Sequence, residues 1–381
     1  MTALAAAPHG ELRSEIFEGT LVCRSLSKSL SRFLASTEAD LTAPREALRP
    51  CLQAALAFLE ADAVDETAEE ANQLLAGVLE ADVPAQLLLG LGDFDFEAQK
   101  DAARFFRALV RRRAQLPLQL VEYVRGRAEL PDALLQGCAN PEVALHCGQM
   151  LRALTCSPEL VAFLLECNTA TQLMGLATSE DFDIASESFT SLRELLLNHK
   201  QVTADYVCAN YETFFAAFHS KLIALEEPGP KFTDSARARS YVTARQGLRL
   251  LGEMLLAPEF SKVMRRYSSD VNALMITMNF LRDDSKLIKL GAFHVFKVFV
   301  ANPQKTAKID QILRRNKAKL LERLTGKDSA LLAVAITGKD EALLGDLRGV
   351  ESILLSMAPL PTPCRASTPP GVARAMPPLS M

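Results

Sequence analysis

Tryptophan is absent from these 381 residues and tyrosine occurs only five times, so a platform for stacking single-strand bases would have to be built from phenylalanine. Excess positive charge is also missing. A formal net charge of −4 and a pI near 5.9 supply no global field for nucleic acid, although local basic patches stay open. No uncharged run reaches the roughly 18 residues a membrane span requires, which excludes a spanning helix. The opening MTALAAAPHGELRSEIFEG has no basic segment before its short Ala run and carries Glu11, Glu15 and Glu18, unlike a signal or transit peptide. Eight cysteines scattered along so long a chain then predict reduced thiols in the cytosol or nucleus, and a cytoplasmic location is expected. Strand signals are missing too: β-branched residues are sparse, and no alternating run is bounded by Asn-Gly or Asp-Gly. The fold class expected is all-α.

Catalytic signatures are equally scarce. There is no Gly-rich phosphate loop, HExxH, GxSxG or CxxC, and the five histidines do not cluster. An enzyme is not expected, nor a cofactor. His146 and Cys147 are adjacent but lack paired ligands at zinc-like spacing, so a packed helix interior is the simpler reading and no metal is expected. The string DFDFE at 93–97 lacks the central Gly and the twelfth-position Glu of a calcium loop; an acidic cap on the following helix fits better.

What the chain does have is a repeat. Phe106, Leu151, Leu192, Leu251 and Phe296 occupy one column in five comparable runs, at steps of 45, 41, 59 and 45 residues. Three residues upstream the column reads Ala103, Gly148, Phe189, Leu248 and Phe293, and three downstream Leu109, Leu154, Leu195, Met254 and Phe299. A period in the low forties marks stacked two- or three-helix units of the armadillo or HEAT kind. Such units bury their apolar faces against one another, which predicts a right-handed helical-repeat solenoid, elongated and curved, with a long concave face suited to holding a protein or extended peptide.

Breakers fall between the repeats at Pro117, Pro131, Pro141, Pro158, Pro228, Pro230, Pro258 and Pro303. The long interval contains EEPGPKFTDSARAR, which predicts an inserted loop at 226–240. Residues 1–10 and the Pro-rich 358–381 are expected to be disordered, with a single helical-repeat domain over 11–357. Arg111, Arg112 and Arg113 close a helical run, where cations complement the last carbonyls; contact with a phosphate or acidic partner is the alternative. A second basic cluster, Arg314, Arg315, Lys317 and Lys319, reads as a solvated helix face or a site for an acidic group.

The strings NPEVALHCGQMLR (140–152), FDIASESF (182–189), YVTARQGLRLLGEMLL (241–256) and GAFHVFKVFVANPQKT (291–306) resemble the calcium-binding protein 39 family, also called the mouse protein 25 family, and the resemblance runs from about residue 12 to 325. It implies a rod-like armadillo-type scaffold without catalytic activity. Such a scaffold holds a pseudokinase of the STRAD kind, activates an associated Ser/Thr kinase, and stimulates sterile-twenty-type kinases, with roles in polarity and morphogenesis.

On the concave face the family's contact positions fall on Phe182, Tyr241, Arg245 and Arg249; Arg249 replaces a lysine, and a lysine usual before Arg245 is Ala244. A C-terminal pocket, which in the family takes a Trp-Glu-Phe peptide from the pseudokinase tail, maps to Met278, with Arg315 in place of lysine and Arg282, Asn316 and Lys319 nearby. The partners implied are therefore a kinase or pseudokinase and its C-terminal peptide, bound by a monomer, with no nucleic acid and no membrane. Two further readings stand beside this one: a helical-repeat RNA binder and a general adaptor without kinase partners.

Overall fold

The computed structural model describes residues 9–36, 42–60, 75–111, 117–223 and 234–358, and every regular element among them is helical. At the N-terminus α1 (His9–Ala35) and α2 (Thr42–Glu60) pack together, followed by α3 (Val83–Leu89) and α4 (Phe96–Arg111). Three-helix units come next. They are α5 (Pro117–Arg125), α6 (Glu129–Cys138) and α7 (Ala144–Leu154); α8 (Pro158–Glu166), α9 (Thr169–Leu176) and α10 (Phe182–Leu197); α11 (Lys200–Ala209), α12 (Tyr211–Phe218) and α13 (Asp234–Leu256); and α14 (Ser261–Tyr267), α15 (Val271–Phe280) and α16 (Lys286–Ala301). The last unit is α17 (Ala307–Thr325), α18 (Ala330–Thr337) and α19 (Glu341–Ser356).

Equivalent helices stack on one another in three rows. First helices pack as α5, α8, α11 and α14, and second helices as α3, α6, α9 and α12. Third helices pack in series from α2 through α4 and α7 to α10, and again from α13 through α16 to α19. The arrangement is a helical-repeat solenoid of the armadillo type, and its five central third helices, α4, α7, α10, α13 and α16, carry the repeat column. Phe106, Leu151, Leu192, Leu251 and Phe296 are all at most 2% exposed and form a continuous seam through the core. At ~1.5–3 kcal/mol for each large apolar side chain removed from water, this seam and its flanking columns are the main attractive force between units.

Local chemistry sets the helix ends. Asp181, Asp270, Ser285, Thr306, Ser329 and Asp340 each stand just before a helix and accept hydrogen bonds from its first free amides. Pro158 begins α8, where its missing N–H costs nothing. Asp95 accepts from the Ala98 amide at 2.8 Å, so the DFDFE string is indeed a helix start.

Two boundaries differ from those expected. Helix α13 begins at Asp234, so Asp234–Ser240 are helical and not loop, while 226–233 lie outside the described residues. Proline and glycine end at Pro230, and the following DSARAR suits a helix, which is why the helix starts earlier. At the N-terminus His9 and Gly10 already belong to α1. The Pro-rich segment from 359, like residues 1–8, lies outside the described residues.

Candidate functional site

One position after the seam, the third helices carry a column of cations: Arg107, Arg152, Arg193 and Lys297, with Gly252 the exception. Three of them reach a carboxylate on the next third helix. From α7, Arg152 Nη1 lies 2.8 Å from Glu187 Oε2 and donates to Ser191 Oγ at 3.1 Å, while its Nε is 3.8 Å from Glu194, all on α10. Arg193 of α10 meets Glu253 of α13 at 2.7 Å, and Lys297 of α16 meets Asp346 of α19 at 2.6 Å. Glu253 also accepts from Arg249 Nε at 3.1 Å. Gly148 belongs to this arrangement: a Cβ there would lie 3.2 Å from Arg152 Nη1 and 3.3 Å from Glu187 Oε2. The resulting ladder joins layer to layer across the polar face of the row. Sequence reasoning passes over these side chains; their signal was a charged column in register with the apolar one, with acids recurring at Glu194 and Glu253 one position further on.

The four predicted partner-binding residues stand on two neighbouring third helices. Phe182 is the first residue of α10, 72% exposed, on a turn fixed by the Asp181 cap. Tyr241, Arg245 and Arg249 follow at successive turns of α13. Tyr241 is half-buried and its hydroxyl accepts from Ser285 Oγ at 3.1 Å, tying it to the start of α16; Arg245 and Arg249 are exposed. Phe96, Phe182 and Tyr241 share one register, each ten residues before its seam residue (96 and 106, 182 and 192, 241 and 251). Phe96 is 67% exposed as well, so aromatic rings recur at the start of this row. Ala244, where the family has lysine, is fully buried and does not share the exposure of Arg245.

The second predicted group is split between α15, which carries Met278, and α17, which carries Arg315, Asn316 and Lys319; these two helices pack together. Met278 is only 8% exposed, whereas Arg282, Arg315 and Lys319 are exposed. Asn316 donates to the Ile312 carbonyl at 2.9 Å. The basic cluster that looked uniform in sequence has two fates. Lys317 Nζ donates to the carbonyls of Leu355 and Met357 at 2.8 and 2.9 Å, and Arg314 Nη1 to that of Ala358 at 2.6 Å, so both clamp the end of α19. Arg315 and Lys319 stay free of that clamp and face solvent. An apolar groove of about 690 Å³ lies elsewhere, at the ends of α13, α16 and α19, lined by Leu256, Met264, Val298 and Ile353.

No cluster of three or more metal-binding side chains occurs among the described residues. His146 and Cys147 sit buried in α7; burial lowers the imidazole pKa and pushes the thiol up to about 12, and the His146 ring packs edge-on to Phe96 with centroids 6.0 Å apart. Among the described residues no helix is long and apolar enough to cross a membrane.

A family model described as Mo25-like matches residues 18–329. "Degreening-related gene dee76 protein" of Auxenochlorella protothecoides is 38% identical over 66% of this chain and 75% of its own. "MO25-like protein 2" of Caenorhabditis elegans is 36% identical over 69% and 74%, and "Calcium-binding protein 39-like" of Mus musculus 35% identical over 68% and 72%. With a family match spanning most of the repeat stack, and relatives from an alga, a nematode and a mammal aligned over about two thirds of the chain, the chain belongs to the Mo25-like family.

Proposed function

We propose that this protein is a non-catalytic scaffold. On the face formed by its third helices it binds a pseudokinase or a sterile-twenty-type Ser/Thr kinase through Phe182, Tyr241, Arg245 and Arg249. The observation that supports this most is the placement of Phe182: a large aromatic side chain 72% exposed on a capped helix start, with two exposed arginines on the next third helix. Aromatic and arginine side chains are the usual anchors of protein interfaces. The cap already orders the backbone at Phe182, so binding has only the two side-chain torsions of the ring left to fix. A scaffold of this kind activates by binding the active kinase conformation more tightly than the inactive one, so the equilibrium shifts by that differential affinity.

In the same reading, Met278, Arg282, Arg315, Asn316 and Lys319 take a Trp-Glu-Phe-like peptide, with the Arg315 guanidinium on the peptide carboxylate. Because Met278 is buried in the uncomplexed protein, binding there requires its side chain to move aside for an aromatic ring, which a flexible thioether does at low cost. The RNA-binding alternative has less support: three of the four cations in the third-row column are already paired with carboxylates.

The test is kinase activation. The purified chain should show no ATP turnover, yet raise the activity of a sterile-twenty-type kinase from its own organism. Arg245→Ala should weaken kinase binding by ~2 kcal/mol while leaving thermal unfolding nearly unchanged. Unaltered affinity in a calorimetric titration would remove Arg245 from the interface.

A further inference from the structure

The ladder on the third-helix row lacks one rung. Each paired cation in it meets an acid at one of two positions on the next third helix, two residues after the seam (Glu194, Glu253) or five before it (Glu187), save Lys297, which meets Asp346 of the terminal unit. On α7 those two positions are Ala153 and His146. Arg107 of α4 therefore points toward a helix with no carboxylate to receive it. One turn on, Arg111 stands on the same face of α4, about 6 Å away by helix geometry. Both are exposed, and among the described residues neither makes an ion pair or a side-chain hydrogen bond.

This gap is also a space. A cleft of about 620 Å³ opens between α4, α7 and α10, lined by Arg107, Arg111, Arg152, Ala153, Glu194 and Asn198 among others. Of its charged lining among the described residues, Arg152 is already held by Glu187 and Glu194, which leaves Arg107 and Arg111 as the cations without an acid. Ala153 stands where a longer acid would reach toward these two arginines. Elsewhere on the ladder each cation meets at least one carboxylate; here, among the described residues, two guanidiniums meet none.

We propose that this cleft is a recognition site for a doubly charged phosphoryl group, carried on a serine or threonine side chain of a partner protein and held between Arg107 and Arg111. A tetrahedral dianion matches the two unpaired guanidiniums, whose forks can donate to separate phosphoryl oxygens. A carboxylate would satisfy one arginine and leave the other unpaired. The site lies on α4 and α7, N-terminal to the Phe182 and Tyr241 patch, and does not rest on the kinase reading.

The experiment uses the full chain and a fluorescein-labelled Gly/Ser/Ala peptide bearing one phosphoserine, followed by anisotropy. Saturable binding is expected, weakened ~tenfold or more when phosphoserine is replaced by serine, and clearly weaker with glutamate in its place. Arg107→Gln with Arg111→Gln should abolish it; both side chains are exposed, so this variant keeps the wild-type melting curve. Ala153→Glu, which supplies the missing acid from within, should abolish it as well while leaving both arginines in place. The proposal is overturned if the phosphopeptide binds no better than its serine form, or if binding survives the double arginine variant. Equal binding of the glutamate peptide overturns the phosphoryl assignment, and ready displacement by single-stranded RNA at matched phosphate concentration would reassign the cleft to nucleic acid. Because Arg245→Ala lies outside this cleft, it should leave phosphopeptide binding unchanged, which keeps this test separate from the kinase test.

Discussion

Two positions one residue apart in the same five helices behave differently. The seam, from Phe106 to Phe296, is apolar and buried in every unit. The next position along is a cation in four units, and its partner is decided unit by unit: two carboxylates for Arg152, one shared carboxylate for Arg193, Asp346 for Lys297, and none among the described residues for Arg107. Burial is non-directional, so any large apolar residue preserves the seam and the period survives as a pattern of hydrophobicity. An ion pair needs a matching group on a different helix, so the polar column keeps its period only where both halves are present. Repetition in this chain is strict for packing and pairwise for charge.

Breaking the seam should have the largest effect. Phe296→Ala empties a fully buried site between α13 and α19 and is expected to cost ~3–5 kcal/mol, read from the midpoint of chemical denaturation. A loss no larger than that of a ladder substitution would show that the seam does not hold the units together.

The best-shielded rung comes next. The Arg152 side chain is only 15% exposed and serves two carboxylates and a hydroxyl. Arg152→Met keeps the apolar stem but strands Glu187, and should cost about 2 kcal/mol by the same denaturation measurement. A neutral result would mean that water takes over the role of the guanidinium.

A third effect appears only at acidic pH, beside the seam. His219 shares a 3.1 Å hydrogen bond with Tyr267, whose ring packs on Phe299. Burial lowers the imidazole pKa, with Asp270 opposing. The folded state therefore keeps the ring neutral while the unfolded chain titrates near its ordinary value of about 6.5. Between those two values the unfolded chain binds more protons, so the contribution is complete above about pH 6.5 and is lost as pH falls through that window. The stability difference between the wild type and His219→Gln should be constant from neutral pH upward and move against the wild type as pH falls. A difference that stays flat down to acidic pH would place the imidazole in solvent.

The fold was legible because its signal is redundant: five seam residues, their flanking columns and the prolines between units all report one period. The site was legible in part. Phe182, Tyr241, Arg245 and Arg249 came from resemblance, and what the structure adds is that Phe182 is exposed while Tyr241 is tied to Ser285. The basic cluster at 314–319 was not separable in sequence, because which lysine or arginine meets a carbonyl depends on where α19 ends in space. The loop boundary was missed for a local reason: charged residues next to proline look like loop until the helix-forming Ala and Arg of DSARARS are weighed.

The smallest effect belongs to the exposed rung. Arg193 is 48% exposed and its partner Glu253 retains a second cation, Arg249, one turn away on its own helix. Water competes for both groups, and ordering two long side chains costs entropy that the Coulomb term barely offsets. Arg193→Gln should therefore cost no more than ~0.5 kcal/mol, and a double-mutant cycle with Glu253→Gln should return a coupling of similar size. This rung is also the link across α10 and α13, the one step in the third row where the repeat is lengthened. If Arg193→Gln instead cost as much as Arg152→Met, the ion pair would be holding the two halves of the stack together. The ladder would then be structural along its whole length, and the contrast between a strict seam and a pairwise polar column would fail at the position where it is easiest to measure.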